Sequence, residues 1–506
     1  MFSILGGDFN AGYVSKSLPE DIDLSFLMTY REYDLVGAFF TGDAAVIKNR
    51  QSLFASIMKN PSLACFFEML EENIKNMSEC RRNAVDANPT SESVFYSFRE
   101  FGFFTETIEA ICRLGQDDVS SPLDPLYQKA KAIQEETWYQ NAKLFTEKLD
   151  DDLKNIQSVT IGINLNAQLK PIEAGIVSVE SKPIVTNGLF DKLFAPRIQD
   201  KSMICFAPIG IRDAKLSDSQ GAALNIHLYC ALNEIMKSSL KKIKNILTQQ
   251  FLHASDFLLE LENEVRFINI GIRYILQMQA KGLPVCNPEV SDRYLISDLY
   301  NPYLSKYMES GKIVRNRAFF DDVGRIHLVV GVNSGGKSVY MRSVGIAQIL
   351  FQLGFPIPAK KAEMFVCDRV YTCFSSKIKD NVGGRLENEC KQIAAICKSA
   401  SEKSMILLDE IFSSTNSYDA CLLARKITEW FSLRGCCVIY TTHIQNLIAQ
   451  TGEINSASNV KSRVDTLVAD YAGGNLTYKI DRKPYEFDSN SAEIFEKYGM
   501  GFLTKN

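Results

Sequence analysis

Only four histidines occur in 506 residues (His227, His253, His327 and His443), and they lie far apart. The 13 cysteines are scattered from Cys65 to Cys437 without one C-x-x-C pair. A zinc site, which draws on such clustered ligands, is therefore not expected, and the cysteines read as reduced, mostly buried thiols. A chain of this length can bury a large core and needs no disulfide to fold. No apolar run reaches the ~18 residues of a membrane-spanning helix. The opening MFSILGGDFNAGYVSKSLPEDID has no basic stretch followed by a long apolar one, so no signal peptide is expected. A cytoplasmic protein without membrane association is the expectation. Basic excess is also missing: 56 Lys and Arg against 60 Asp and Glu leave a net charge of -4. That excludes a histone-like chain but not a local basic face.

What is present has two textures. Residues from about 20 to 300 are rich in helical patterns, with one interruption. From about 321 to 445, short apolar strands alternate with amphipathic stretches, the pattern of a parallel α/β sheet. No proline intervenes between Pro208 and Pro284, and Leu224, Leu228, Leu232, Ile235 and Met236 keep three-and-four spacing, which predicts one or two long helices. A second long helical stretch is expected from about 126 to 156, and two such helices can pack as an antiparallel arm. Between them, Val159, Ile161, Ile163 and Leu165 alternate with Thr160, Gly162 and Asn164 at strand period. Pro171, Pro183, Pro196 and Pro208 punctuate the residues beyond, so a small β module is expected in 157–212. Phe101 to Phe104 with Ile108 read as core, as do Trp138 and Trp430; Lys241, Lys242 and Lys244 read as a solvated face.

Three segments carry chemistry. GVNSGGKS, Gly331 to Ser338, fits G-x-x-x-x-G-K-[ST]. Such a loop turns backbone N–H groups into a concavity for phosphates, which Cβ atoms would obstruct. Gly331, Val332, Asn333, Ser334, Gly335, Gly336 and Val339 form or flank the cradle; Lys337 is suited to the β- and γ-phosphates and Ser338 to Mg²⁺. IHLVV before it and a helical pattern after it set the phosphates at a helix N-terminus. SMILLDE, Ser404 to Glu410, is a buried strand ending in two carboxylates. Asp409 is the candidate second Mg²⁺ ligand and Glu410 the group that orients or deprotonates the attacking water. CCVIYTTHIQNL ends another apolar strand at Thr442-His443, where a histidine can contact the γ-phosphate.

This order of segments resembles the ATPase domain of the MutS family. Asn333, Gly335, Gly336, Lys337 and Ser338 match its P-loop, and Ile357, Pro358 and Ala359 the turn after the following helix. Asp409, Glu410, Thr415 and Asp419 match its LLDE segment, and Thr442 and His443 its TH pair. More weakly, Thr41 to Ile57 is similar to a core-domain segment in which an acidic residue and an arginine bracket a helix start, and Gln277 to Val290 to the end of the lever helix. The resemblance implies a helical core at 1–156, a β module at the clamp position in 157–212, lever helices in 213–300 and an α/β P-loop, ABC-type ATPase domain in 301–506. It also implies ATP and Mg²⁺ as ligands, catalysis by Glu410, His443 and Lys337, and a homodimer whose composite sites gate arms around DNA.

The departures shape the expectation further. The core segment is entered by about residue 25, which leaves no room for the family's mismatch-reading domain. The β module holds few basic residues: Lys170, Lys182, Lys192, Arg197, Lys201 and Arg212. Val339 replaces the P-loop's usual threonine, Ile313 the aromatic expected against adenine, and Phe412 and Ser413 a glycine and an arginine. Asp380 to Ile393 lies where the family's signature stretch caps the partner's ATP, with Gly383 and Gly384 for close approach and Arg385 or Asn388 for the phosphate. Two functions remain open: an ATPase that binds structured or non-mismatched DNA, and an ATP-switched protein-interaction module of MutS ancestry.

Overall fold

The computed structural model describes residues 2–6, 13–14, 17–86, 91–114, 122–154, 158–168, 171–181, 249–374, 384–472 and 475–483. The expectations for Lys182 to Arg212, for the helical face of Leu224 to Met236, for Lys241, Lys242 and Lys244, and for Gly383 lie outside the described residues. The chain divides into two compact units. One comprises Met1–Phe2, Glu68–Asp117 and Asp124–Glu262; the other comprises Ser3–Phe67, Asp118–Leu123 and Asn263–Asn506. In chain order the N-terminal elements are β1 (Tyr13–Val14), α1 (Leu18–Asp21), α2 (Tyr33–Phe39), α3 (Ala44–Lys59), α4 (Ser62–Asp86), α5 (Ser91–Cys112), α6 (Asp124–Glu135), α7 (Thr137–Lys154), β2 (Ser158–Leu165) and β3 (Pro171–Glu180). They are followed by α8 (Gln249–Glu260) and α9 (Glu262–Ala280).

Among the described residues the first unit is helical with one hairpin. Phe101 and Phe104 of α5 are fully buried and meet Phe251 of α8 edge-on at 5.3 and 5.5 Å, so this part of the Phe-rich run is core. Arg81 of α4 bonds the buried Glu100 of α5 at 2.8 Å and Asp256 of α8 at 2.6 Å. Burial pushes the Glu100 carboxyl up, and the Arg81 guanidinium opposes that shift. The stretch expected as one long helix is two, α6 and α7. The Glu136 N–H closes on Ile133 O at 3.1 Å, a tight i→i+3 turn that ends α6. Leu261 N–H closes on Leu258 O in the same way between α8 and α9. The strand alternation of Val159 to Leu165 becomes β2, paired antiparallel with β3 from Ser158↔Glu180 onward.

Among the described residues the second unit holds two sheets. Its further elements are β4 (Glu289–Val290), β5 (Tyr294–Leu299), β6 (Asn316–Phe320), β7 (Ile326–Val330), α10 (Lys337–Leu353), β8 (Lys361–Met364), β9 (Arg369–Phe374), α11 (Arg385–Ser399), β10 (Met405–Asp409), α12 (Ser417–Arg434), β11 (Cys437–Thr441), α13 (Gln445–Ala449), α14 (Thr451–Ser456), β12 (Val464–Ala472) and β13 (Asn475–Arg482). The larger sheet runs β1-β9-β10-β11-β7-β12-β13, parallel except for β13. The smaller runs β4-β8-β5-β6. Strands β7, β10 and β11 are mostly apolar and buried at every position, as the inner strands of a two-sided parallel sheet are. Alternate side chains serve the two faces. Ile406 and Leu408 join the core with Ile393, Ala424 and Phe431 of α11 and α12. Leu407 points to α10, where a Cβ on Gly345 would come within 2.6 Å of its Cδ1.

The segment resembling the family's core packs beneath α10. Asp43 caps α3 by accepting from Ala45 N at 2.7 Å. Arg50 does not mark the helix start but lies buried within α3, donating to Phe39 O at 2.5 Å and to Leu353 O at 3.4 Å, the carbonyl ends of α2 and α10. Burial pushes its guanidinium down to about 10, offset by Glu264, whose carboxylate accepts from Ile4 and Leu5 N–H. Residues before 301 thus contribute β1, β4 and β5 to the same two sheets as the C-terminal segment. Among the described residues no helix is long and apolar enough to cross a membrane.

Candidate functional site

Register brings the site together. Parallel pairing sets Asp409 beside Thr441, and Thr441 beside Val329, so the ends of β10 and β11 lie level with the strand that feeds the glycine-rich loop. In open α/β sheets this carboxyl edge is where ligands bind. Gly331 leaves β7 at φ +119, with Ala469 so near that a Cβ would meet its Cβ and carbonyl at 3.0 Å. Ser334 at φ +65 and Gly336 at φ +90 complete the turn into α10. The first N–H groups of α10, a helix of 17 residues, therefore open on the loop.

Each candidate side chain has a defined place. Lys337 is buried, its Nζ donating to Gly331 O at 3.0 Å and Val332 O at 3.1 Å. Burial lowers its pKa, and Glu410 and Asp409 counteract the shift. The Ser338 Oγ donates to Asp409 Oδ1 at 2.8 Å, and Thr441 Oγ1 to the same oxygen at 2.5 Å. Glu410 follows at φ +49, its N–H bonded to Thr441 O at 3.0 Å. Asn333, Ser334, Gly335, Gly336, Lys337, Ser338, Val339 and Glu410 line one cavity of about 380 Å³. Gly331 and Val332 do not line it; their carbonyls hold Lys337. His443 is exposed, in a neighbouring cavity of about 320 Å³ that also reaches Glu410 and Thr415. Thr442, buried, anchors this turn by donating its N–H to Val329 O at 3.1 Å.

The cavity's far wall was not legible in the motifs. Leu304, Met308, Val314, Asn316 and Tyr478 line it, whereas Ile313 is buried and is not among its walls. Tyr478 sits at φ +58, and a Cβ on Gly336 would lie 3.5 Å from its ring. Asn316 fixes it there, donating to Tyr478 O at 3.1 Å and accepting from Ile480 N at 2.9 Å. A bulky residue at positive φ is an outlier that persists where surroundings over-determine it. That φ has no signature in the residues around 478. In the signature stretch, Gly384 precedes α11 at φ +76, and Asn388 N bonds Gly384 O at 3.3 Å within the first turn.

Fold and site together define an α/β domain with a glycine-rich loop between strand and helix and two acidic residues at a nearby strand end. Residues 327–489 match the family model of MutS domain V. Over this domain the chain is similar to MutS proteins. It is similar to a protein named DNA mismatch repair protein MutS from Clostridium kluyveri, 32% identical over 182 residues, 34% of this chain and 21% of the relative. A protein of that name from Prochlorococcus marinus is 27% identical over 235 residues, 45% of this chain and 24% of the relative. One from Clostridium botulinum is 30% identical over 188 residues, 36% and 20%. The matches span about a fifth to a quarter of the length of these relatives.

Proposed function

We propose that this protein binds and hydrolyses ATP as a MutS-like ATPase with a role in DNA mismatch repair. The observation that carries the reading is the Ser338–Asp409 contact of 2.8 Å, which joins a hydroxyl and a carboxylate from motifs 71 positions apart. A hydroxyl and a carboxylate oxygen are the hard donors that Mg²⁺ takes, so the pair fits this ion. Bound there, Mg²⁺ would neutralise charge on the phosphate oxygens. The loop N–H groups and Lys337 would hold the phosphates, Lys337 exchanging its carbonyl partners for phosphate oxygens. The purine would lie among Leu304, Met308, Val314 and Tyr478. Glu410 would orient the attacking water and accept its proton, with His443 beside it at the γ-phosphate. Catalysis is then positioning and electrostatics, with no covalent step.

The relatives' name supports DNA as the partner, and a homodimer as the working form follows from the resemblance to the MutS family. Glu410→Gln keeps the side chain's shape and removes the base. ATP should still bind, and turnover should fall by ~10²-fold or more. Wild-type turnover in this variant, measured in a steady-state phosphate-release assay, would sink the assignment.

A further inference from the structure

The carboxylate of Glu389 belongs to neither cavity, yet it holds the loop that carries Glu410. Three consecutive residues leave β10, and each is tied by its backbone. Glu410 N–H bonds Thr441 O at 3.0 Å, and Ile411 O accepts from Tyr440 Oη at 3.3 Å. Phe412 N–H bonds Glu389 Oε2 at 2.8 Å. The first two ties come from β11; the third reaches across from α11. Glu410 at φ +49 and Phe412 at φ +63 are both in the left-handed region that non-glycine residues avoid. Such strain persists only where the surroundings impose it. Glu389 is fully buried, with Arg385 Nε 3.5 Å from its other oxygen to offset the buried charge.

We propose that Glu389 is a positioning residue for Glu410, acting through the backbone of Ile411 and Phe412. The inference rests on the reading of Glu410 as the base. Without the Glu389 acceptor, the buried Phe412 N–H has lost its partner and the loop can relieve its strain by returning Phe412 to an ordinary φ. The turn would then rotate, and the Glu410 carboxylate would leave its place. Displacement of a reacting group by about an ångström is enough to cost up to ~10²-fold in rate.

The test compares Glu389→Ala and Glu389→Gln with the full wild-type chain. ATP turnover, affinity for a non-hydrolysable ATP analogue, and hydrogen exchange of the 410–416 segment are measured on each. Glu389→Ala should lower kcat by about tenfold or more, leave analogue affinity within about twofold, and speed exchange at 410–416. Glu389→Gln, which keeps an acceptor oxygen, should recover most of the rate and the protection. Should Glu389→Ala not fold, Glu389→Asp withdraws the acceptor by one methylene and takes its place. Unchanged exchange and kcat in Glu389→Ala would overturn the positioning role alone. Parallel loss of kcat, affinity and melting temperature, without recovery in Glu389→Gln, would reduce Glu389 to a structural residue. A wild-type chain that neither binds nor hydrolyses ATP would overturn the ATPase reading and the positioning role together.

Discussion

Among the described residues the Lys337 ammonium bonds loop carbonyls, and burial lowers its pKa, so a phosphate would be a better partner than those it holds. Lys337→Ala should weaken ATP binding by about 2 kcal/mol or more, since hydrogen bonds to charged groups contribute ~1.5–3 kcal/mol. Calorimetry that found unchanged affinity would refute the loop's role. His327 makes a different residue-scale prediction. It is fully buried on β7, stacked on Phe320 at 5.1 Å, with Nε2 3.2 Å from Gly324 O. Burial pushes its pKa down to about 4; Asp465 and Asp321 oppose the shift and Arg482 adds to it. Between that value and the ordinary ~6.5, the unfolded chain binds more protons, so stability rises with pH across this window. Acidification from pH 7 to 4 should remove about 3 kcal/mol through this group, at ~1.4 kcal/mol per pH unit. Urea midpoints across that range should vary less in His327→Leu than in wild type; equal variation would clear His327 of the effect.

At the scale of elements, α10 links the glycine-rich loop to the N-terminal segment. It is flanked by Gly336 and by Gly354, φ +83, where a Cβ would lie 2.4 Å from Arg50 Cβ. Two costs fall on Gly354→Ala: left-handed strain of ~1–2 kcal/mol and overpacking of ~1–3 kcal/mol. A loss of about 2 kcal/mol or more is expected, read as a lower denaturant midpoint at unchanged m-value. Strand elements were legible because β7, β10 and β11 are short and mostly apolar, and the loop because its residue types force its geometry. The break between α6 and α7 was not, since apolar spacing continues through Glu136 while the backbone does not. Ile313 shows the same limit. Its position matched an aromatic against adenine, but the turn buries it and leaves Val314, with Leu304 and Met308, facing the cavity.

For the whole molecule, the proposed cycle couples nucleotide to assembly. Glu410→Gln should bind ATP without clearing it, so a closed dimer should accumulate. Light scattering of this variant with Mg²⁺ and ATP should show twice the monomer mass; monomer alone would contradict the composite-site reading. The net charge of -4 gives no long-range pull toward DNA.

Chain-local chemistry determined the glycine-rich loop, the Asp409-Glu410 pair, the buried strands and the helical character of the N-terminal half, because each depends on residue types at short spacing. Tertiary structure decided what lies between distant segments. It set Ser338 on Asp409 and pinned Tyr478 against Gly336 by way of Asn316. It also brought Tyr13–Val14 to the edge of the main sheet beside β9. Glu389 reads in sequence as one more polar residue of an amphipathic helix. Only the packing of α11 on the main sheet places its carboxylate at the Phe412 amide, because a hydrogen bond between residues 23 positions apart is a property of register and crossing, not of spacing.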